Sequence, residues 1–287
     1  MRANRVLKIG AGVALAGATA AVIASRARRQ RSASRVRKGV FIERALYETP
    51  AFVLRQLGIE WVLVESAIQK PDKENWITRD RAAIEKVDRT INPPDAPYRI
   101  ELWAWGWPIP DRVEPFAEHV LEILASPVVA GYCLDIEAKS WSTRDLGQMR
   151  MDLLAHSLIG LVRNGSKKPL LLSSHGRADF APLPWNALRR LDGALPQAYD
   201  PSNKYGDGFI ARCVKSYREM GFSFVAPTLG ASSRTSPARM VEVLSTLPAV
   251  PAVSWWSWTS IGRSPERQRA VRASTLRGTP RAVLHSL

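Results

Sequence analysis

The run Val129–Glu137 (VAGYCLDIE) ends in two carboxylates, Asp135 and Glu137, spaced i and i+2. On an extended strand such residues share one face, about 6.6 Å apart. Both acids can therefore face the same space. Two carboxylates that close do not ionise independently; one keeps its proton to higher pH, as a general acid near neutrality must. A second run, Gln197-Ala198-Tyr199-Asp200, puts an amide and a phenol on one face, where they can hydrogen-bond a substrate carbonyl or orient an acid. Plainer readings exist for both runs: a helix-capping Asp beside a solvated Glu, and a packed Tyr whose hydroxyl is satisfied locally. Seven of the ten tryptophans (Trp103, Trp105, Trp107, Trp141, Trp255, Trp256, Trp258) fall at or just past the ends of apolar runs. There, flat apolar faces can stack on sugar rings. Trp103 and Trp255 are the first choices for packing. A mouth-facing Trp107 or Trp258 would be poorly covered unless something binds it. His175 is a minor candidate for substrate contact, and Ser173-Ser174-His175 lacks the strained GxSxG turn of a nucleophile.

These residues need elements to hold them. Apolar runs at 39–45, 60–66, 98–107, 129–137, 169–175, 194–199, 222–229 and 252–258 predict strands. Between them, helices are predicted near 50–57, 78–90, 111–125, 143–163, 184–191, 206–220, 235–246 and 264–276. Eight strands alternating with eight helices predict an α/β fold, a (β/α)8 barrel over residues 39–280. A doubly wound open sheet usually shows a Gly-rich phosphate loop after an early strand, and none occurs here. In a barrel of this kind chemistry sits at the C-terminal strand ends, which are where the acids, Gln197, Tyr199 and the tryptophans fall.

A barrel with DxE closing strand four, a (Met/Gln)xTyrAsp motif on strand six and a Trp closing strand eight resembles the family-18, chitinase-like glycoside hydrolases. It is also similar to the family-25 lysozymes, which share a barrel and a DxE on an equivalent strand. The resemblance spans residues 39–261 as architecture and about ten residues as motif. It implies that Glu137 is the acid/base, that Asp135 orients a substrate acetamido group and that Tyr199 assists. Gln197, Asp200, Trp105, Trp107, Trp256, Trp258 and His175 are then the substrate-binding set. Family-18 catalysis uses the substrate acetamide as nucleophile, so one acid suffices. The longer signature DxxDxDxE has Asp where this chain has Ala130 and Cys133.

The net charge of +15 lies at the ends. Residues 1–38 hold ten Lys/Arg and no acid, and residues 262–287 hold six Arg against Glu266, which leaves 39–261 near zero. A neutral body argues against the barrel as a nucleic-acid track. Ile9–Ala24 is an uncharged run of sixteen residues flanked by Arg and Lys. It reads as an N-terminal apolar helix, either a retained anchor or a signal cleaved near Ala18-Thr19-Ala20, followed by a basic linker. Export would suit a glycan substrate, whereas the excess of cations after the run favours a cytoplasmic body. Two cysteines and four scattered histidines give no disulfide framework or metal spacing, so neither cofactor nor metal is expected. The leading expectation is a monomeric glycoside hydrolase acting on a β-linked polymer of N-acetylated sugars, peptidoglycan before chitin. The alternatives are a non-catalytic glycan-binding barrel and a structural or virion-associated protein tethered by its basic ends.

Overall fold

The computed structural model describes residues 36–43, 51–69, 76–141, 147–180, 182–232 and 234–273. The apolar run Ile9–Ala24, most of the basic linker, Arg44 and the C-terminal tail lie outside the described residues. Nine parallel strand segments close into a barrel of eight staves: β1 (Arg37–Ile42), β2 (Ile59–Ile68), β3 (Glu101–Trp107), β4 (Val129–Asp135), β5 (Leu170–His175), β6 (Gly193–Ala198), β7 (Phe224–Val225), β8 (Thr228–Gly230) and β9 (Ala252–Trp256). Each stave pairs with the next, and β9 returns to pair with β1. The (β/α)8 expectation holds, with one adjustment: the run 222–229 forms β7 and β8, two parts of one stave against β6. Pro227 interrupts it, since proline has no N–H for the ladder. The ring still closes there, because the Ala226 N–H donates to the Ala194 carbonyl and the Ser254 N–H to the Pro227 carbonyl.

The main outer helices are α1 (Ala51–Gln56), α2 (Arg81–Ile91), α3 (Val113–Leu124), α5 (Gln148–Gly165), α6 (Trp185–Leu188), α7 (Phe209–Glu219), α8 (Pro237–Ser245) and α10 (Pro265–Ala273). The short α4 (Ala138–Trp141) and α9 (Trp258–Gly262) follow β4 and β9. Local chemistry sets the helix starts. Asp80 caps α2 by accepting from the Ala83 N–H at 2.8 Å, and Ser236 caps α8 ahead of Pro237. The buried face of α2, Ile84, Val87 and Ile91, recurs at helical spacing against the barrel. No helix among the described residues is long and apolar enough to cross a membrane.

Alternation along each strand sends one set of side chains outward, to the layer under the helices, and the other set into the barrel. The inward set is Phe41, Trp61, Leu63, Trp103, Trp105, Cys133, Leu171, Leu195, Phe224, Ala226 and Ala252. Large and small residues must interleave to fill so narrow a space. A Cβ on Gly39 would lie 2.3 Å from the Trp61 ring, and one on Gly131 2.3 Å from the Trp103 ring. The indoles occupy the room that these two glycines leave. The lower barrel is solid, so a ligand can enter only at the other end.

Candidate functional site at the C-terminal strand ends

At that end the inward positions turn polar. Asp135 is the last residue of β4 and is paired in register with Ser173 of β5, while His175 of β5 is paired with Gln197 of β6. This stagger gathers side chains distant in sequence. The Gln197 amide nitrogen lies 2.9 Å from Asp135 Oδ1, 3.0 Å from Glu137 Oε1 and 3.2 Å from Ser173 Oγ. An amide has two protons for these three acceptors, and one is free to reach each carboxylate. Gln197 thus bridges the acids and holds them on one side of the opening.

Their surroundings separate the two carboxylates. Asp135 is buried, and its carboxyl is pushed up to about 8, first by burial and next by the neighbouring charge of Glu137; hydrogen bonds from Ser173 and Gln197 oppose the shift. Asp135 is therefore largely protonated at neutral pH. Glu137 is half-buried one step beyond the strand, nearer solvent. Its carbonyl accepts from the N–H groups of Ser140 and Trp141, which starts α4 at that point. The Ala138 N–H donates to His175 Nε2 at 3.0 Å, so the imidazole carries its proton on Nδ1 and anchors the chain directly after Glu137. Tyr199 is half-buried, and its phenol is held well above the usual range by burial and by the charges of Asp135, Glu137 and Glu43.

The aromatic residues divide in a way that periodicity alone does not show. Phe41, Trp105 and Trp256 form a cluster inside the barrel, with ring centroids 5.2–5.8 Å apart. Trp105 is only 2% exposed, leaving Trp256 as the one partly buried ring of the trio. Trp107 stands at the end of β3, its indole N–H on Ser140 Oγ and Lys139 Nζ 5.6 Å from its ring. Trp103 and Trp255 are packed, as expected.

Two expected contact residues lie elsewhere. Trp258 was placed at a strand end, but β9 stops at Trp256 and Trp258 opens α9, buried in the layer between barrel and helices. The peptide bond Trp256–Ser257 is cis. Trp141 is fully buried too, donating to the Pro108 carbonyl. Asp200 falls one position out of phase with Tyr199 and is a loop clamp. It accepts from the Lys204 and Tyr205 N–H groups at 2.7 and 3.2 Å and pairs with Arg239 at 3.7 Å.

Ser173 and Glu43 are the groups that motif reasoning underweighted. Ser173 could have been found from strand parity, being two residues before His175. Glu43 shares the phase of Phe41, and its carboxylate accepts from the Ser257 and Thr259 hydroxyls at 3.3 Å each. A groove of about 690 Å³ opens beside the mouth, running from the segment after β5 down between the one-turn α6 and α7. Its charges are already engaged, Arg177 with Asp179, Lys215 with Glu219 and Arg212 on the Tyr205 and Asp207 carbonyls, so the mouth with its raised Asp135 is the better candidate for chemistry.

The fold is a (β/α)8 barrel with acids and aromatic rings at its C-terminal strand ends. Among solved structures the chain is similar to a xylanase and α-amylase inhibitor protein determined with trehalose, at 11% identity and a TM-score of 0.57, over 84% of this chain and 99% of that one. It is also similar to a chitinase from Chromobacterium violaceum, at 10% identity and a TM-score of 0.56, over 83% and 98% of the two chains. A class V chitinase mutant from Cycas revoluta, determined with (GlcNAc)3, matches at 9% identity and a TM-score of 0.53, over 82% and 99%. Identities this low establish the shared barrel alone. No protein-family model matches the chain. No curated protein matches it either.

Proposed function

We propose that this chain is a glycoside hydrolase cleaving a β-linked polysaccharide of N-acetylated sugars, with peptidoglycan favoured over chitin. The observation that carries the reading is the Gln197 bridge between a buried, protonated Asp135 and a more exposed Glu137, with the partly buried Trp256 at the same end of the barrel. A sugar ring stacked on Trp256 would bring its 2-acetamido group towards Asp135 and Tyr199. The one proton held by the Asp135–Glu137 pair is delivered through Glu137 to the leaving oxygen as the acetamide oxygen attacks the anomeric carbon, leaving both carboxylates ionised. Water, deprotonated by Glu137, then opens the cyclic intermediate. Asp135 and Tyr199 act by orienting the acetamide, a contribution that grows as the carbonyl gains charge. The lysozyme-like alternative and the choice of glycan rest on the sequence alone, and so does a lipid tether at residues 1–38.

A second reading has specific support. Cys133 stands beneath Asp135 where the longer chitinase signature has an acid, and one of the similar folds is named as an inhibitor protein. Under this reading the barrel binds glycan without cleaving it. Incubating the purified chain with N-acetylated oligosaccharides and peptidoglycan, with products followed by mass spectrometry, separates the two. Cleavage that falls about 10²–10⁴-fold in Glu137→Gln supports the hydrolase. Saturable binding without product supports the binding module, and an undiminished rate in Glu137→Gln removes Glu137 from its assigned role.

A further inference from the structure

The described chain begins and ends at one pole of the barrel. Arg37 opens β1 at the N-terminal strand ends, its N–H donating to the Pro251 carbonyl in the loop before β9. At the other terminus Lys38 Nζ donates to the Val271 carbonyl at 2.8 Å, and Arg272 binds the carbonyl and side chain of Gln56, the last residue of α1. Both terminal segments therefore leave side by side at the pole opposite Asp135 and Glu137. Residues 1–35 and 274–287 contain ten Lys/Arg and no acid, with the uncharged Ile9–Ala24 among them.

The folded surface at that pole adds further cations, set among the exposed acids Asp95, Glu122 and Glu219. Lys167, Arg189 and Arg190, in the loops leading into β5 and β6, are exposed and make no side-chain hydrogen bond or ion pair with a described residue. Around the mouth the signs alternate as well, with Asp111, Glu137, Asp179 and Asp207 beside Arg112, Lys139, Arg177 and Lys204, and among the described residues no unpaired run of cations like Lys167, Arg189 and Arg190 occurs there.

We infer that the N-terminal pole of the barrel docks on an anionic lipid surface, so that the acidic mouth faces away from the bilayer. The apolar run between cationic flanks selects lipid over nucleic acid, because duplex DNA offers nothing to cover sixteen uncharged residues. From Arg37 to Glu43 the strand rises about 20 Å, which sets the height of the mouth above the pole. The linker 25–35 adds at most about 40 Å when extended. The polymer that such a mouth reaches lies beyond the surface, not in it. The inference rests on the lipid tether proposed above and is independent of the glycan chemistry.

The test uses the full chain and vesicles of phosphatidylcholine alone or mixed equally with phosphatidylglycerol. Cys133 and Cys213 are buried, so a thiol introduced by Ser223→Cys at the pole or Ser202→Cys at the mouth can be labelled selectively. Binding should be about tenfold tighter to the anionic vesicles and weaken with salt. Energy transfer to a headgroup acceptor should be greater from position 223 than from position 202. Arg189→Glu with Arg190→Glu should weaken binding severalfold, Lys204→Glu should not, and Glu137→Gln should bind as the parent does. Absence of vesicle binding overturns the tether and the inference with it. Equal transfer from both labels, or more from 202, overturns the orientation, and equal affinity for duplex DNA overturns the choice of lipid.

Discussion

Replacing Asp135 by Asn separates the ionisation of this carboxyl from its shape. Asp135 is 6% exposed, and burial followed by the charge of Glu137 raises it from an ordinary 3.8 to about 8. Between those values the unfolded chain has lost the proton while the fold retains it, so unfolding releases a proton and stability declines as pH rises. The benefit of the neutral form is complete below the unfolded value and is gone above the folded one. At about 1.36 kcal/mol per pH unit, the fall from pH 5 to pH 8 is at most about 4 kcal/mol. Water reaching the half-buried Glu137 reduces it, and about 2–4 kcal/mol is the working range. Asn cannot ionise, but its oxygen can accept from Gln197 and its nitrogen can reach Ser173 Oγ. Relative to the parent, Asp135→Asn should therefore gain about 2–4 kcal/mol between pH 5 and pH 8. Urea unfolding of both chains at four pH values, followed by tryptophan fluorescence, measures this. A stability difference constant across the range, or one that moves the other way, would show that Asp135 is ionised at neutral pH and would refute the assignment of the proton.

The same ionisation bears on turnover: above pH 8 a second negative charge appears beside Glu137, so kcat/KM on an N-acetylated oligosaccharide should fall there. A profile still rising at pH 9 contradicts this. Gly131→Ala should cost about 1–3 kcal/mol, since the new methyl meets the Trp103 ring at 2.3 Å and the Pro169 carbonyl at 2.6 Å. Gly160→Ala on α5 meets nothing within 4 Å and should stabilise the chain by about 0.5–1 kcal/mol; thermal unfolding reads both. Trp256→Ala should weaken oligosaccharide binding in calorimetry. Trp258→Ala should instead lower stability by about 3–5 kcal/mol, the cost of emptying a buried indole site.

The order of elements, the inward faces and the strand ends where the acids and tryptophans gather were all legible in the sequence. They follow from local patterns: alternation of period two for strands, apolar spacing of 3.6 for helices, and the rule that places function at C-terminal strand ends. Asp135 with Glu137 and Gln197 with Tyr199 could be paired by spacing because alternation acts within a single strand. Local pattern failed where a strand stopped. Trp258 has the phase of Trp256, yet the chain turns into a helix after Ser257 and carries it into the outer layer. Asp200 shares a motif with Tyr199 but not its phase, and it folds back to clamp its own loop.

What the tertiary structure alone decided is which side chains meet. Gln197 contacts Asp135 and Glu137 across 62 and 60 residues of sequence because the register between staves places β5 and β6 beside β4. No spacing along one strand encodes that register. The proton on Asp135 is of the same kind. The residue type determines a carboxyl that can titrate, whereas the low dielectric around it and the charge of Glu137, both products of barrel closure, determine the pH at which it does. The charge at the chain ends shows the converse division. Its amount was fixed by composition, and its position at the pole opposite the acids follows only from where the first strand starts and the last helix stops.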